Sequence, residues 1–406
     1  MNCRHCNSPL NIEFVDLGTS PPSNSYLKIN QLQQPELFYP LRVKVCGTCW
    51  LAQTEDFAKR EEFFSPDYSY FSSFSKTWLE HAEDYVSKMV ARFALGAQSL
   101  VVEVASNDGY LLQYVHALGI PCLGIEPTRS TAVVSSQKGI PTLCEFFGAD
   151  FARSLVKENK RADLIAANNV LAHVPDMNDF LTGFAILLKD NGVATFEFPH
   201  LLQLVNKTQF DTIYHEHYSY LSLISIQHIF KTNGLAVFDV EEISTHGGSL
   251  RIFAQKKNTG THVITERVGT LLEKEKSAGM DTGGFYQGFQ HKINNSKDKM
   301  LQFLIGVKDK KVIGYGAAAK GNTFLNYAGI RSDLVAFVVD KSPYKQNKFL
   351  PGSRIPIHDE SFIRQHKPDY VIIFPWNLKE EISEQLAYIR DWGGQFVVAI
   401  PELKIF

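Results

Sequence analysis

Short apolar runs recur along the middle of the chain, each closed by polar residues or glycine and followed by a stretch with helical spacing. SLVVEVASN, PCLGIEP, ADLIAANNVLAHV and GVATFEFPH are the clearest. Brief, β-branched runs of this kind read as buried strands, and the helices between them read as crossovers of a parallel, doubly wound sheet. LAVFDVEEI and SLRIFAQKK, joined through THGGS, predict an antiparallel hairpin that closes the sheet. A polar helix, GFYQGFQHKINNSKDKMLQFLIGV, leads into a second series of strands: KVIGYG before the helical AAAKGNTFLNYAGI, then LVAFVVD, PDYVIIFP and FVVAIPEL. Upstream of both, the pattern weakens into a Pro/Ser/Asn-rich loop (SPPSNSYL) and one strand-like run (YPLRVKVC). An aromatic and hydroxyl cluster, Tyr68–Ser75, then precedes an amphipathic helix starting near Ser75. So many hydroxyls make poor core material, so this cluster reads as pocket lining. The chain therefore divides into segments 1–80, 81–300 and 301–406.

Composition narrows the class without naming it. With 41 basic and 43 acidic residues, the net charge of −2 gives no general attraction for nucleic acid or a membrane surface. No apolar run approaches the roughly 20 residues of a membrane helix, and MNCRHCNSPL lacks the apolar core of a signal peptide. A cytoplasmic protein is expected. No exposed heptad calls for a dimer, so a monomer is expected.

Four of the six cysteines form two CxxC pairs, Cys3/Cys6 and Cys46/Cys49. In a reducing compartment such pairs point to metal rather than disulfides. Four thiolates suit tetrahedral Zn2+ in a structural role, since no coordination position is left for chemistry. Cys122 and Cys144 lie beside strand-like runs and read as small core residues.

Acidic residues close the first two central strands, Glu103 in VVEVASNDGYLL and Glu126 in LGIEP. A carboxylate at the second position can accept both ribose hydroxyls of an adenosine, which suits NAD and S-adenosylmethionine equally. The intervening loop separates the two. A pyrophosphate normally needs G-x-G-x-x-G, whereas this loop, EVASNDG, has one late glycine, Gly109. Ala105, Ser106, Asn107 and Asp108 make it polar instead, which suits a cofactor without a pyrophosphate. Asn168 and Asn169, closing the fourth strand, are placed for the amino-acid part of S-adenosylmethionine.

The double CxxC, YSYFSS, EVASNDGYLLQ, GIEP, NNVLAHVPD, FEFPH…FDTIYHEHYSYLS, HGGSLR and GYGAAAKGN occur in this order along nearly the whole chain. Together they resemble the bacterial sugar C-methyltransferases that act on nucleotide-linked 4-keto-deoxysugars. The resemblance implies a small N-terminal zinc-binding domain, a class I methyltransferase Rossmann-like central domain and a second Rossmann-like domain at the C-terminus. It implies S-adenosylmethionine and structural zinc as cofactors and a nucleotide sugar as substrate. It also brings His173, Tyr214 and a tyrosine of YSY, Tyr70 in preference to Tyr68, to the sugar.

C-methylation beside a ketone requires removal of the C3 proton, stabilisation of the enolate and alignment with the sulfonium methyl. His217 is the expected base, because imidazole is half-titrated near neutrality; Glu216 is the second candidate. In an extended segment Tyr214 and Glu216 would share one face and His217 the other, but a turn would break that alternation. A zinc protease would space its histidines as HExxH, so HEH is not expected to bind metal. In the third segment, GYGAAAKGNT places Gly316, Lys320 and Asn322 at a helix N-terminus suited to a phosphate. Asp340 ends the next strand where ribose is often met. The competing readings are an O- or N-methyltransferase, a non-catalytic zinc-bearing adaptor, and an NAD-dependent epimerase or reductase.

Overall fold

The computed structural model describes residues 1–57 and 71–406. Tyr68 and Tyr70 lie outside them. The central sheet has seven strands in the order Leu235–Ile243, Ser249–Lys256, Leu188–Pro199, Ala162–Asn168, Val101–Val104, Cys122–Ile125, Thr142–Leu143. Ser249–Lys256 runs antiparallel to both its neighbours, as the THGGS hairpin requires, and the remaining pairs are parallel. Val101–Val104 and Cys122–Ile125 are buried at every position, because helices cover both faces of a parallel sheet. The chain reverses its direction of winding between Val101–Val104 and Ala162–Asn168, which opens a crevice at their carboxyl ends.

A second sheet, Ile357–His358, Val338–Val339, Val312–Tyr315, Tyr370–Ile373, Gln395–Val398, Lys404–Ile405, is parallel except at its last strand. The helix Phe289–Gly306 buries Phe289, Ile293, Met300 and Leu304 in the same core. Phe14 stacks on Phe289 at 4.8 Å, so the N-terminal strand seals that core from outside. Each such fully buried aromatic contributes about 1.5–3 kcal/mol.

The N-terminal sheet is antiparallel and has four strands: Ile12–Ser20, Tyr39–Val45, Ala52–Thr54 and Ser219–Tyr220. Its fourth strand comes from the central segment, immediately after the HEHY stretch. Its apolar residues also divide. Phe14, Val15, Leu41 and Val43 join the C-terminal core, while Cys3, Leu10, Cys46, Cys49 and Leu51 join the central one. The first segment is thus a wedge between two Rossmann-like bodies. Hydrogen bonds across the junction include Tyr26 Oη to Ala317 O (2.6 Å), Asn322 Nδ2 to Ser23 O (2.5 Å) and Thr323 Oγ1 to Ile213 O (2.9 Å). Among the described residues no helix is long and apolar enough to cross a membrane.

Candidate active site

Cys3, Cys6, Cys46 and Cys49 place their sulfurs within 4.8 Å of one another. The separations Cys3–Cys49, Cys6–Cys46 and Cys6–Cys49 are 3.6, 3.5 and 3.7 Å. A tetrahedron with Zn–S bonds of about 2.3 Å has edges of about 3.8 Å, so the four thiolates fit zinc. Gln53 Nε2 and the Thr48 amide donate to Cys3 and Cys46 sulfurs, as partners of thiolate charge. His215 and His217 take no part: His215 Nε2 meets Pro40 O at 3.1 Å.

The crevice in the central sheet is lined by polar atoms that the protein leaves unpaired. Ser106 Oγ, Asp108 Oδ1, Asn168 Oδ1 and the whole Asn169 amide are buried without a hydrogen-bond partner among the described residues, and the Glu103 carboxyl is buried beside them. Orphaned groups at this density are costly unless a ligand completes them. Burial also pushes the Glu103 carboxyl well above its ordinary range. Glu126 accepts one backbone amide on each oxygen, from Asn107 (2.9 Å) and Thr128 (2.8 Å), and keeps lone pairs for a diol. Ala105 (φ 59°), Asn107 (φ 49°) and Asn169 (φ 54°) hold left-handed backbone around the cleft, strain that accompanies ligand loops. Asn107 Oδ1 also receives the Ser72 amide at 2.9 Å, tying the first segment to the cofactor loop. Gly109 has a packing reason: a Cβ there would lie 2.5 Å from Ile140 Cδ1. The arrangement fits S-adenosylmethionine.

At the junction, a turn at His215–Glu216 folds the HEHY stretch back on itself, with the His217 amide bonded to Tyr214 O. The alternation of an extended strand is broken. Tyr214 Oη lies 2.8 Å from His217 Nε2, with the rings stacked at 4.0 Å. His217 Nδ1 donates to Thr212 O at 2.8 Å, which leaves Nε2 as the acceptor of the Tyr214 hydroxyl. The His173 ring packs against His217 at 4.5 Å, and its Nδ1 donates to Glu216 O at 2.8 Å. Glu216 points to the other side, where Asn24 N and Nδ2 reach Oε1 at 3.2 and 3.1 Å while Oε2 is buried without a partner. Burial raises the Glu216 carboxyl. Burial, followed by the neighbouring His173, pushes His217 well below the usual imidazole range. Burial lowers His173 to about 4. The half-titrated imidazole expected at position 217 is therefore a neutral one in the folded protein.

Lys320 faces this cluster. Its Nζ donates to Asn377 Oδ1 at 2.8 Å and lies 4.4 Å from the Trp376 ring, and burial lowers it to about 8. Its charge is felt by His217, His246 and Asp211. Asp211, raised to about 6 by burial, accepts Trp376 Nε1 at 2.7 Å. Asn322 Nδ2 donates to Ser23 O while its Oδ1 is buried without a partner among the described residues, and Asp340 holds the amides of Ala317 (2.7 Å) and Ser342 (2.8 Å). Gly316 (φ 87°) admits Pro375, whose Cδ would sit 2.6 Å from any Cβ.

Local sequence pattern assigns no role to several groups at the site. His81 Nε2 and Arg251 Nε grip the fully buried Glu197 at 2.7 and 2.6 Å. Trp78 stacks on His81 (4.9 Å) and contacts His246 (5.3 Å). The lone acid in the apolar FEF run was the available signal.

The comparisons bear on this geometry directly. The chain is 32% identical over 405 residues to C-methyltransferase NovU of Streptomyces niveus, covering 99% of this chain and 96% of that one. The chain belongs to the C-methyltransferase family. Family profiles agree segment by segment: a zinc binding domain over residues 3–64, a methyltransferase domain over 78–240 and a C-methyltransferase C-terminal domain over 244–401. The class is thus an S-adenosylmethionine-dependent C-methyltransferase with a four-cysteine zinc site. Solved structures with partial likeness include magnesium protoporphyrin IX methyltransferase of Synechocystis PCC 6803 with bound SAM. It has 15% identity and a TM-score of 0.34, over 44% of this chain and 79% of that one. PH0226 protein of Pyrococcus horikoshii OT3 has 14% identity and a TM-score of 0.39, over 50% and 100%.

Proposed function

We propose that the protein methylates C3 of a nucleotide-linked 4-keto-6-deoxysugar through a base-generated enolate. The observation that carries this reading is the Tyr214–His217–His173 cluster at the end of the strand bearing Asn168, beside the orphaned polar crevice. S-adenosylmethionine, when bound, supplies an electrophilic methyl on a cationic sulfur. Glu126 and Glu103 hold its nucleoside side, and Asn168 with Ser106 and Asn107 orients its amino-acid side.

His217 takes the C3 proton on Nε2, the nitrogen its bond to Thr212 O keeps unprotonated, once the sugar displaces the Tyr214 hydroxyl that Nε2 accepts. The electron pair passes to the C4 oxygen. Glu103, Glu126, Asn168, Ser106 and Asn107 would hold the bound cofactor that supplies the methyl to C3, its sulfur keeping the electrons of the broken carbon–sulfur bond. A neutral imidazole is ready to accept a proton at any pH above its lowered range, and Tyr214 Oη is the adjoining donor. Glu216, raised by burial and unpaired at Oε2, orients the sugar and is the alternative base. Lys320 offers its charge to an anionic group of the ligand, the developing C4 oxyanion or the diphosphate carried on C1 across the ring. Tyr70, in preference to Tyr68, is a sugar-binding candidate by its place in YSYFSS alone, and the C-terminal body carries the nucleotide.

The deciding experiment is mass spectrometry of reactions containing S-adenosylmethionine and a panel of nucleotide 4-keto-6-deoxysugars, with solvent deuterium. Methyl on carbon and deuterium at C3 support the reading; methyl on oxygen or nitrogen without C3 exchange ends it. Full turnover by both His217→Asn and Glu216→Gln would remove the base from this turn.

A further inference from the structure

We propose that Arg4, set between the first two zinc-ligating cysteines, is a positioning residue that locks the two catalytic segments together. The proposal rests on the assignment of His173 and His217 to the chemistry. Arg4 lies inside the Cys3–Cys6 turn, yet its side chain is 5% exposed and runs away from the sulfurs. One guanidinium nitrogen donates to Pro175 O (3.1 Å), two residues beyond His173. The other donates to Thr54 O (3.0 Å) and pairs with Asp56 (2.8 Å). Its Cζ sits 5.2 Å from the Tyr218 ring centroid, next in sequence to His217.

Thr54 continues the chain of contacts. Its amide donates to Tyr218 O (3.1 Å) and its Oγ1 to His217 O (3.2 Å). The Tyr218 amide in turn reaches Ala172 O at 2.8 Å, next to His173. The same knuckle anchors Arg4 from behind. Its backbone amide donates to Gln53 Oε1 (2.8 Å), and Gln53 Nε2 donates to the Cys3 sulfur (3.3 Å). Gln53 is fully buried and pairs with Ser219 across the sheet. His5 and Asn178 add a reciprocal pair beyond Pro175: His5 Nδ1 and Asn178 Oδ1 at 2.8 Å, and Asn178 Nδ2 to His5 O at 2.9 Å.

A rigid thiolate turn thus ends in a planar cation that bonds the His173 loop directly and, through Thr54 and the Tyr218 ring, holds the segment carrying His217. Neither bond touches the cofactor crevice. Small displacements of a base cost rate steeply, because proton transfer needs near-attack geometry. Zinc ligation, in this arrangement, sets the spacing of catalytic groups through Gln53 and Arg4.

The test compares Arg4→Met and Arg4→Lys with the parent protein. It reads kcat and KM for the keto-sugar, the S-adenosylmethionine Kd by calorimetry, bound zinc by elemental analysis, and hydrogen exchange of residues 172–178 and 214–219. Arg4→Met is expected to lower kcat by about 10- to 100-fold, with zinc retained, the cofactor Kd within about two-fold and faster exchange in both segments. Arg4→Lys, or guanidinium added to Arg4→Ala, should restore part of the rate. Unchanged exchange overturns the proposal, as does an undiminished kcat, or zinc and cofactor binding lost in step with kcat. Failure of the catalytic assignment itself is distinguished by full activity in His217→Asn, which leaves the exchange result of Arg4→Met untouched.

Discussion

Replacing Lys320 by methionine is expected to make the protein more stable and far less active. Lys320 is held by Asn377 and the Trp376 face, and among the described residues it has no carboxylate at ion-pair distance. Burial lowers it from 10.5 to about 8, with Asp211 as the only opposing influence. At about 1.4 kcal/mol per pH unit, keeping the charge folded costs about 3 kcal/mol at pH 7. The unfolded chain binds the extra proton between about pH 8 and 10.5, so stability rises with pH across that window. Methionine removes the cost but also the Asn377 bond and the cation–π contact, together about 1–2 kcal/mol. Lys320→Met should therefore gain about 1–2 kcal/mol at pH 7, and the gain should shrink toward pH 10. Urea unfolding at both pH values measures this. In the parent protein kcat/KM should fall as pH rises through about 8, where Lys320 loses its proton; the variant should lack that limb and turn over at least about 100-fold more slowly. A destabilised variant with normal turnover would refute a ligand-facing charge at this position.

Other perturbations reach different parts of the argument. Glu275 accepts the Leu223 and Ile224 amides and His200 Nε2 at 2.7–2.8 Å, capping the helix Leu223–Thr232 that follows the strand Ser219–Tyr220. Glu275→Ala should cost about 3–5 kcal/mol in urea unfolding, since three buried donors lose their acceptor, and a loss below about 1 kcal/mol would contradict this. Gly247 (φ 87°) lies where a Cβ would stand 2.4 Å from Trp376. Gly247→Ala should push that indole off Lys320 and lower kcat/KM about ten-fold or more, while leaving zinc content unchanged. Chelation of zinc should loosen both CxxC turns and speed proteolysis within residues 1–57, and restored metal should reverse it; protease resistance unaffected by chelation would argue against a structural ion.

The double CxxC, the acids that close two strands and the hairpin at THGGS were legible because each is local. Spacing along the chain dictates what a knuckle, a βα turn or a tight hairpin can present. The clustering of the four sulfurs and a parallel sheet closed by an antiparallel pair follow from such patterns; the order of the seven strands comes from long-range pairing. The HEHY stretch was different. Its residues were visible, but their directions depended on whether the backbone stayed extended or turned. The turn at His215–Glu216, which pairs Tyr214 with His217 and sends Glu216 to Asn24, is held by contacts from three segments. Lys320 stood out from its place at a helix N-terminus, but its neighbours Asn377 and Trp376 and its nearness to His217 come from packing between distant segments. The Glu197–His81 and Asp211–Trp376 pairs join residues 116 and 165 positions apart, which no local pattern encodes. The strand Ser219–Tyr220 enters the N-terminal sheet for the same reason. Its two residues complete an edge left by Ala52–Thr54, and only the assembled wedge brings that edge within hydrogen-bonding reach.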